Sequence, residues 1–183
     1  DRVVLAVPAS VVGRIVFEPA LPPSLAEAYA SVAYGNAAKL FVPLREVPST
    51  SAVLSVPERY WTWTATAGAG VEPVLHAFAG SAPALSALRL EDGPGAWVES
   101  VARLRPDLEL DPAGAVLSTW DDDPWVGAAY SCDAPPEEAW APVGPFHVCG
   151  EHTAGPFSAL MEGALRSGRR VAAEILGVEA GRG

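Results

Sequence analysis

Lys39 is the chain's single lysine, set in Asn36-Ala37-Ala38-Lys39-Leu40-Phe41-Val42, a run whose composition predicts a strand. A charge buried unpaired among alanine, leucine and phenylalanine would be costly. The residue therefore reads either as an edge-strand lysine facing solvent or as an amine held for chemistry. A second concentration of candidates is Trp120-Asp121-Asp122-Asp123-Pro124-Trp125-Val126-Gly127-Ala128-Ala129-Tyr130. Three adjacent acids cannot converge on one ion without a dedicated loop, so a solvated turn is expected there and no metal site. The third, residues 146–176, reads as a buried strand, a small-residue turn and a long helix. Such a turn gathers free N–H groups and the positive end of the helix dipole, which suits an electron-rich ligand. Plain packing of a strand and helix on a sheet would look the same.

Other chemistries find no support. His147-Val148-Cys149-Gly150-Glu151-His152 has one residue too many between the first His and the Glu for the inverted zinc-protease spacing. Neither a Gly-x-Ser-x-Gly elbow nor a phosphate loop occurs. Gly68-Ala69-Gly70 lacks a third glycine and leads into a strand, so it is no dinucleotide fingerprint. His76 reads as an ordinary strand histidine. Cys132 and Cys149 read as two buried thiols, which leaves the redox compartment open. A net charge of −10 and a pI near 4.6 argue against a nucleic-acid partner. No apolar run reaches membrane-spanning length and no secretory segment opens the chain, so no membrane partner and a cytoplasmic location are expected.

Periodicity supplies the elements that must position these residues. Strands are predicted over 3–7, 13–18, 53–56, 60–66, 71–79 and 115–120, and helices over 24–35, 82–90 and 95–105. Ser24 would cap the first helix and Gly35 end it. Trp61, Trp63 and Phe78 fall on one sheet face, a pattern that core packing also produces. In the last helix Phe157, Leu160, Met161, Ala164, Leu165, Val171, Ala172, Ile175 and Leu176 form an apolar stripe at 3.6-residue spacing. Ser158 or Thr153 would cap it, Gly177 would stop it, and Arg169 and Arg170 would suit the dipole late in the helix. Interior glycines at 163 and 168 imply close approach to the backbone.

Gly150-Glu151-His152-Thr153, then Leu160-Met161-Glu162-Gly163-Ala164, then Ser167-Gly168-Arg169-Arg170-Val171-Ala172-Ala173-Glu174 resembles the C-terminal FAD-binding signature of the flavin-dependent amine oxidases. That family includes monoamine oxidases, polyamine oxidases, L-amino-acid oxidases and histone lysine demethylases. Val32-Ala33-Tyr34-Gly35-Asn36-Ala37-Ala38-Lys39 resembles the family stretch that ends in the active-site lysine, and Trp120 to Tyr130 resembles the first wall of its aromatic cage.

The resemblance implies Lys39 and Tyr130 as catalytic residues. Lys39 would hold a water against flavin N5 as a neutral, desolvated amine, and Tyr130 would guide the amine substrate. It implies Gly150, Glu151, Thr153, Ser158, Leu160, Met161 and Trp120 as FAD-binding residues, and Trp61, Trp63, Phe78, Tyr130 and Leu160 as the substrate cavity. Ala129 stands where monoamine oxidases carry the cysteine bound to flavin, which implies noncovalent FAD. Leu160 replaces the tyrosine of the second cage wall, so a bulkier or amino-acid-like substrate is admitted.

The implied fold is α+β: a mixed or antiparallel sheet substrate domain with flanking helices (9–140), a strand returning from the FAD domain (1–8) and the C-terminal strand-helix of a Rossmann-like FAD-binding domain (141–183). The N-terminal strand-Gly-x-Gly-x-x-Gly-helix that would hold the pyrophosphate is missing, and Asp1 opens the chain inside a strand as a cut or processed end would. The expected partners are thus that missing half, in the same chain or a second subunit, and a small amine; a homo-oligomer is compatible. The implied reaction is oxidation of an amine or amino acid to an imine, with O2 reduced to H2O2. The rivals are a flavin desaturase or porphyrinogen-type oxidase, a non-catalytic interaction subunit of the same fold, and a proteolytic product with no role of its own.

Overall fold

The computed structural model describes residues 1–121 and 123–177. In chain order it forms strand β1 (Val3–Leu5), helix α1 (Pro23–Ala30), and strands β2 (Ala33–Tyr34), β3 (Ala38–Pro43), β4 (Ala52–Ser55), β5 (Tyr60–Ala67) and β6 (Gly70–Ala79). Helices α2 (Ala82–Ala87) and α3 (Gly95–Leu104) follow, then β7 (Val116–Thr119), β8 (Ser131–Asp133), β9 (Phe146–Val148) and helix α4 (Met161–Leu176). The mixture of helices with antiparallel sheets agrees with the expected class. The chain divides into two compact units, one made of residues 1–35 with the described residues from 121 onward, the other of residues 36–120.

The unit of residues 36–120 is built on a five-stranded antiparallel sheet in the order β4-β5-β6-β3-β7. Period-two alternation sends Leu40, Val42, Tyr60, Leu75, Ala77 and Ala79 to one face, where they bury against Ala84, Leu88, Trp97, Val98 and Val101 of α2, α3 and the residue after α2. The Tyr60 ring meets Trp97 edge-on at 5.8 Å. Its hydroxyl lies 2.7 Å from Ser100 Oγ, and burial pushes its pKa up to about 12.

In the other unit β1 and β9 pair in parallel, Val3 to Phe146 through Leu5 to Val148, and β2 pairs antiparallel with β8. Leu5, Val12, Leu25, Tyr29, Trp140 and Val148 form its core. The strand expected over 13–18 is absent. Pro8 turns the chain into a 3₁₀ segment, Ala9–Arg14, which takes up Gly13 and Arg14, and the adjacent Ile15 and Val16 beyond it are both exposed, so the run buries no apolar face. Helix α1 starts on proline, with Pro22 at the N-cap and Ser24 already inside the first turn. It ends at Ala30 because the chain then enters β2.

Helix α4 departs most from expectation. Its buried positions are Gly163, Ser167, Val171 and Ala173, whereas Leu160, Met161, Leu165, Ile175 and Leu176 are exposed, Met161 by 88 %. Close approach decides this: a Cβ on Gly163 would stand 2.1 Å from Phe157 O, so the smallest residue marks the contact. Gly168, by contrast, has nothing within 4 Å of its virtual Cβ. Neither Ser158 nor Thr153 caps the helix; Leu160 is the N-cap, with no side-chain cap bond. Gly177 ends it in the left-handed conformation, φ +65°. The last turn holds no basic residue. Arg170 instead anchors the helix: it donates to Glu174 Oε1 at 2.6 Å, to Val148 O at 2.7 Å and to Thr153 Oγ1 at 3.2 Å. Glu174 Oε2 in turn lies 3.0 Å from His147 Nδ1. Among the described residues, no helix is long and apolar enough to cross a membrane.

Candidate functional site

The chain leaves β1 and β9 at their carboxyl ends into turns of small residues, Ala6-Val7-Pro8 and Cys149-Gly150-Glu151. Ligands of α/β sheets sit beyond such ends. A cavity of about 220 Å³ opens there, lined by Val7, Pro8, Tyr34, Ala129, Gly150, Glu151 and His152 among others. Gly150 makes the turn with φ +143°, and a Cβ on it would stand 2.5 Å from the His152 ring. His152 is buried between Tyr29 and Trp140, whose ring centroids lie 5.9 and 5.1 Å away. Burial pushes its pKa down, so the imidazole is neutral, and its Nε2 has no hydrogen-bond partner among the described residues. Burial likewise raises the pKa of Tyr34, whose hydroxyl accepts from Ala9 N at 2.9 Å. A bare glycine backbone, an orphaned buried nitrogen and a cavity at strand carboxyl ends fit a planar cofactor with hydrogen-bonding edges, such as flavin.

Glu151 ties this turn to two others. Its Oε1 accepts from Ser131 N at 3.0 Å, and its Oε2 accepts from Ser131 Oγ and Ala159 N, each at 2.5 Å. One carboxylate thus fixes the residue after Tyr130 and the residue before Leu160. Ala159 holds φ +64°, unusual without glycine. Tyr130 is half-buried and its carbonyl accepts from Gly35 N at 3.0 Å. Thr153 is fully buried, and its hydroxyl donates to Gly150 O at 2.9 Å while accepting from Arg170. Ser158 Oγ donates to Gly155 O. Leu160 and Met161 stand exposed at the helix start. Asp123 Oδ1 accepts from Trp125 N at 2.7 Å within a turn; Asp122 lies outside the described residues.

The other unit presents the sheet face opposite its core. Register places Leu54, Trp61, Phe78, Lys39 and Ser118 side by side in one row across the sheet, and Ala52, Trp63, His76, Phe41 and Val116 in the next. Lys39 is exposed on this face, between Phe78 and Ser118. Trp61 stacks on Phe78 at 4.8 Å and 29°, while His76 sits edge-on between Phe41 (4.9 Å) and Trp63 (5.3 Å). Burial, and then the neighbouring Lys39 charge, lower the His76 pKa. Trp120, exposed, follows β7 by one residue.

Each unit therefore gathers part of the expected set: Tyr130, Gly150, Glu151 and Leu160 around one carboxylate, and Lys39, Trp61, Trp63 and Phe78 on one sheet face. Sequence reasoning missed the place of Tyr34, Val7 and Pro8 in the cavity wall and the Glu151 clasp. A strand followed by Val-Pro was the one available signal for the turn; nothing in spacing announces a carboxylate that bonds backbone amides far along the chain.

The family model for flavin-containing amine oxidoreductases matches residues 1–176. An L-amino acid dehydrogenase of Synechocystis sp. is 24 % identical, over 96 % of this chain and 40 % of its own length. Cyclohexylamine oxidase from Brevibacterium oxydans IH-35A superposes with a TM-score of 0.77 at 23 % identity, and putrescine oxidase bound to putrescine with 0.76 at 26 % identity. Each of these structures is matched over 96 % of this chain and 42 % of its own. The chain thus spans about two-fifths of the length of the relatives it matches.

Proposed function

Because the chain belongs to the flavin-containing amine oxidoreductase family, we propose that it is the C-terminal part of an FAD-dependent enzyme that oxidises an amine or an amino acid. When bound, the flavin supplies the oxidant: the C–H bond beside nitrogen breaks as a hydride equivalent, leaving an imine that water hydrolyses, and O2 takes the two electrons as H2O2. Gly150 and Glu151 line the cofactor cavity, with Leu160 and Met161 at the helix start, where amide dipoles favour negative charge. At Ala129 the cavity wall carries a methyl group and no nucleophile, in keeping with noncovalent FAD. Tyr130 guides the amine. Lys39 orders a water and moves its proton. In this reading segments 1–8 and 141–183 belong to the FAD-binding domain and 9–140 to the substrate domain, with residues 9–35 and 121–140 of the latter packed in the same compact unit as the former. The stripe Met161, Leu165, Ile175 and Leu176 is the seat of the absent N-terminal FAD-binding half; the two-fifths coverage of relatives and the exposure of these residues support that partner.

The observation that carries the reading is the lone lysine standing on an aromatic sheet face, exposed yet flanked by Phe78 and two strands from Trp61. In the complete flavin-loaded protein, Lys39→Met is expected to slow flavin reoxidation at least tenfold, on the order of a general acid–base contribution. Stopped-flow absorbance follows it. Unchanged reduction and reoxidation would remove Lys39 from the mechanism.

A further inference from the structure

The two registered rows around Lys39 contain no carboxylate and no arginine. Their polar members are the Lys39 ammonium, the His76 imidazole and the Ser118 hydroxyl; the rest is aromatic or aliphatic. Resting on the oxidase reading, we infer that this face takes the distal body of the substrate and selects one that is uncharged and apolar, excluding a second ammonium at the far end. The Trp61–Phe78 stack and the Trp63 ring offer broad apolar surface, whose burial favours hydrocarbon. An ammonium laid on the same rings would gain a cation–π contact. It would, however, lose water with no acid in either row to receive it, beside Lys39. His76 offers no counter-charge in either protonation state, since an imidazole is neutral or cationic; burial and Lys39 both push its pKa down. The distal end is thus discriminated by charge, whatever group carries the reacting nitrogen.

Two matched pairs isolate that charge: hexylamine against 1,6-diaminohexane, and L-norleucine against L-lysine. Each pair differs at the distal end by one ammonium. With the complete flavin-loaded protein under anaerobic conditions, the rate of flavin bleaching is expected to favour the uncharged member of the reactive pair by about a hundredfold or more in kcat/KM, the scale of leaving a desolvated charge unpaired. Trp61→Ala is expected to lower kcat/KM for the uncharged member about tenfold by removing its apolar support, while Trp61→Phe retains most of it. Quenching of tryptophan fluorescence by the uncharged member is expected to weaken in Trp61→Phe, a readout independent of turnover. Equal or better reduction by the diamine or by lysine overturns this inference and leaves the oxidase reading standing. Flavin that stays oxidised with all four compounds overturns both.

Discussion

Gly163 and Gly168 lie five residues apart in the same helix, yet their substitution has opposite expected signs. A Cβ at Gly163 meets Phe157 O at 2.1 Å, a backbone atom that cannot rotate away. Gly163→Ala is therefore expected to destabilise by about 1–3 kcal/mol through overpacking. Gly168 faces open space, so Gly168→Ala is expected to stabilise by roughly 0.5–1 kcal/mol by restricting the unfolded chain. Urea unfolding of the two variants checks the pair. His152 gives a pH signature. Burial lowers its pKa in the fold, so as pH falls below the ordinary value of about 6.5 the unfolded chain takes up a proton that the folded one refuses. Its contribution is complete above that value and is lost as pH descends through the lower, folded one. The stability of His152→Gln is expected to depend less steeply on pH between about 7 and 5, measured by urea titration at each pH. Residue types were the most legible level. A solitary lysine and a Gly-Glu-His-Thr turn stand out in any reading, whereas the three donors held by Glu151 come from residues 131 and 159, separations that leave no local pattern.

At the scale of elements, α4 shows what periodicity can and cannot tell. The 3.6-residue stripe from Met161 to Leu176 is there, and it is a helix. Which side packs inward was set by Gly163, Ser167 and Arg170, because the smallest side chains admit the nearest backbone and the arginine fork meets a strand-end carbonyl. Apolar spacing carries no information about which partner a stripe belongs to. The sheet of residues 36–120 was legible nearly strand by strand, since one face is buried and the alternation is clean. Residues 13–18 were misread because alternating residue types over so short a run do not supply a partner strand: Gly13 and Arg14 close the 3₁₀ segment, and Val16 is left 92 % exposed. Arg170→Met removes the donors to Glu174, Val148 and Thr153 while keeping a long apolar stem. It is expected to cost about 2–4 kcal/mol by leaving partly buried acceptors unpaired. Arg170→Lys is expected to recover only part, since an ammonium cannot reproduce the planar fork. Thermal unfolding followed by circular dichroism checks both.

Across the molecule, the parallel pairing of β1 with β9 joins residues 3–5 to residues 146–148 within one unit and sends both strand exits to the same cavity. That long-range pairing was not readable from either segment alone; three residues of valine and leucine near the start could have joined any sheet. The units themselves were legible as kinds of structure and not as boundaries, because residues 9–35 and 121–140 carry no composition shift that says which core they join.

Because α4 is gripped by a guanidinium and an acid on its inner side and lined with Leu165, Ile175 and Leu176 on its outer side, salting-out acts on it asymmetrically. Ammonium sulfate tightens apolar association, while an enclosed ion pair feels little screening. Light scattered by this chain alone is expected to climb with ammonium sulfate at constant helical ellipticity, and Leu165→Glu to suppress the climb. Helicity lost in step with the scattering would mean that the grip, and not the outer surface, had yielded. Kosmotropic salts would then be poor storage conditions for the separated chain and harmless ones once that surface is covered.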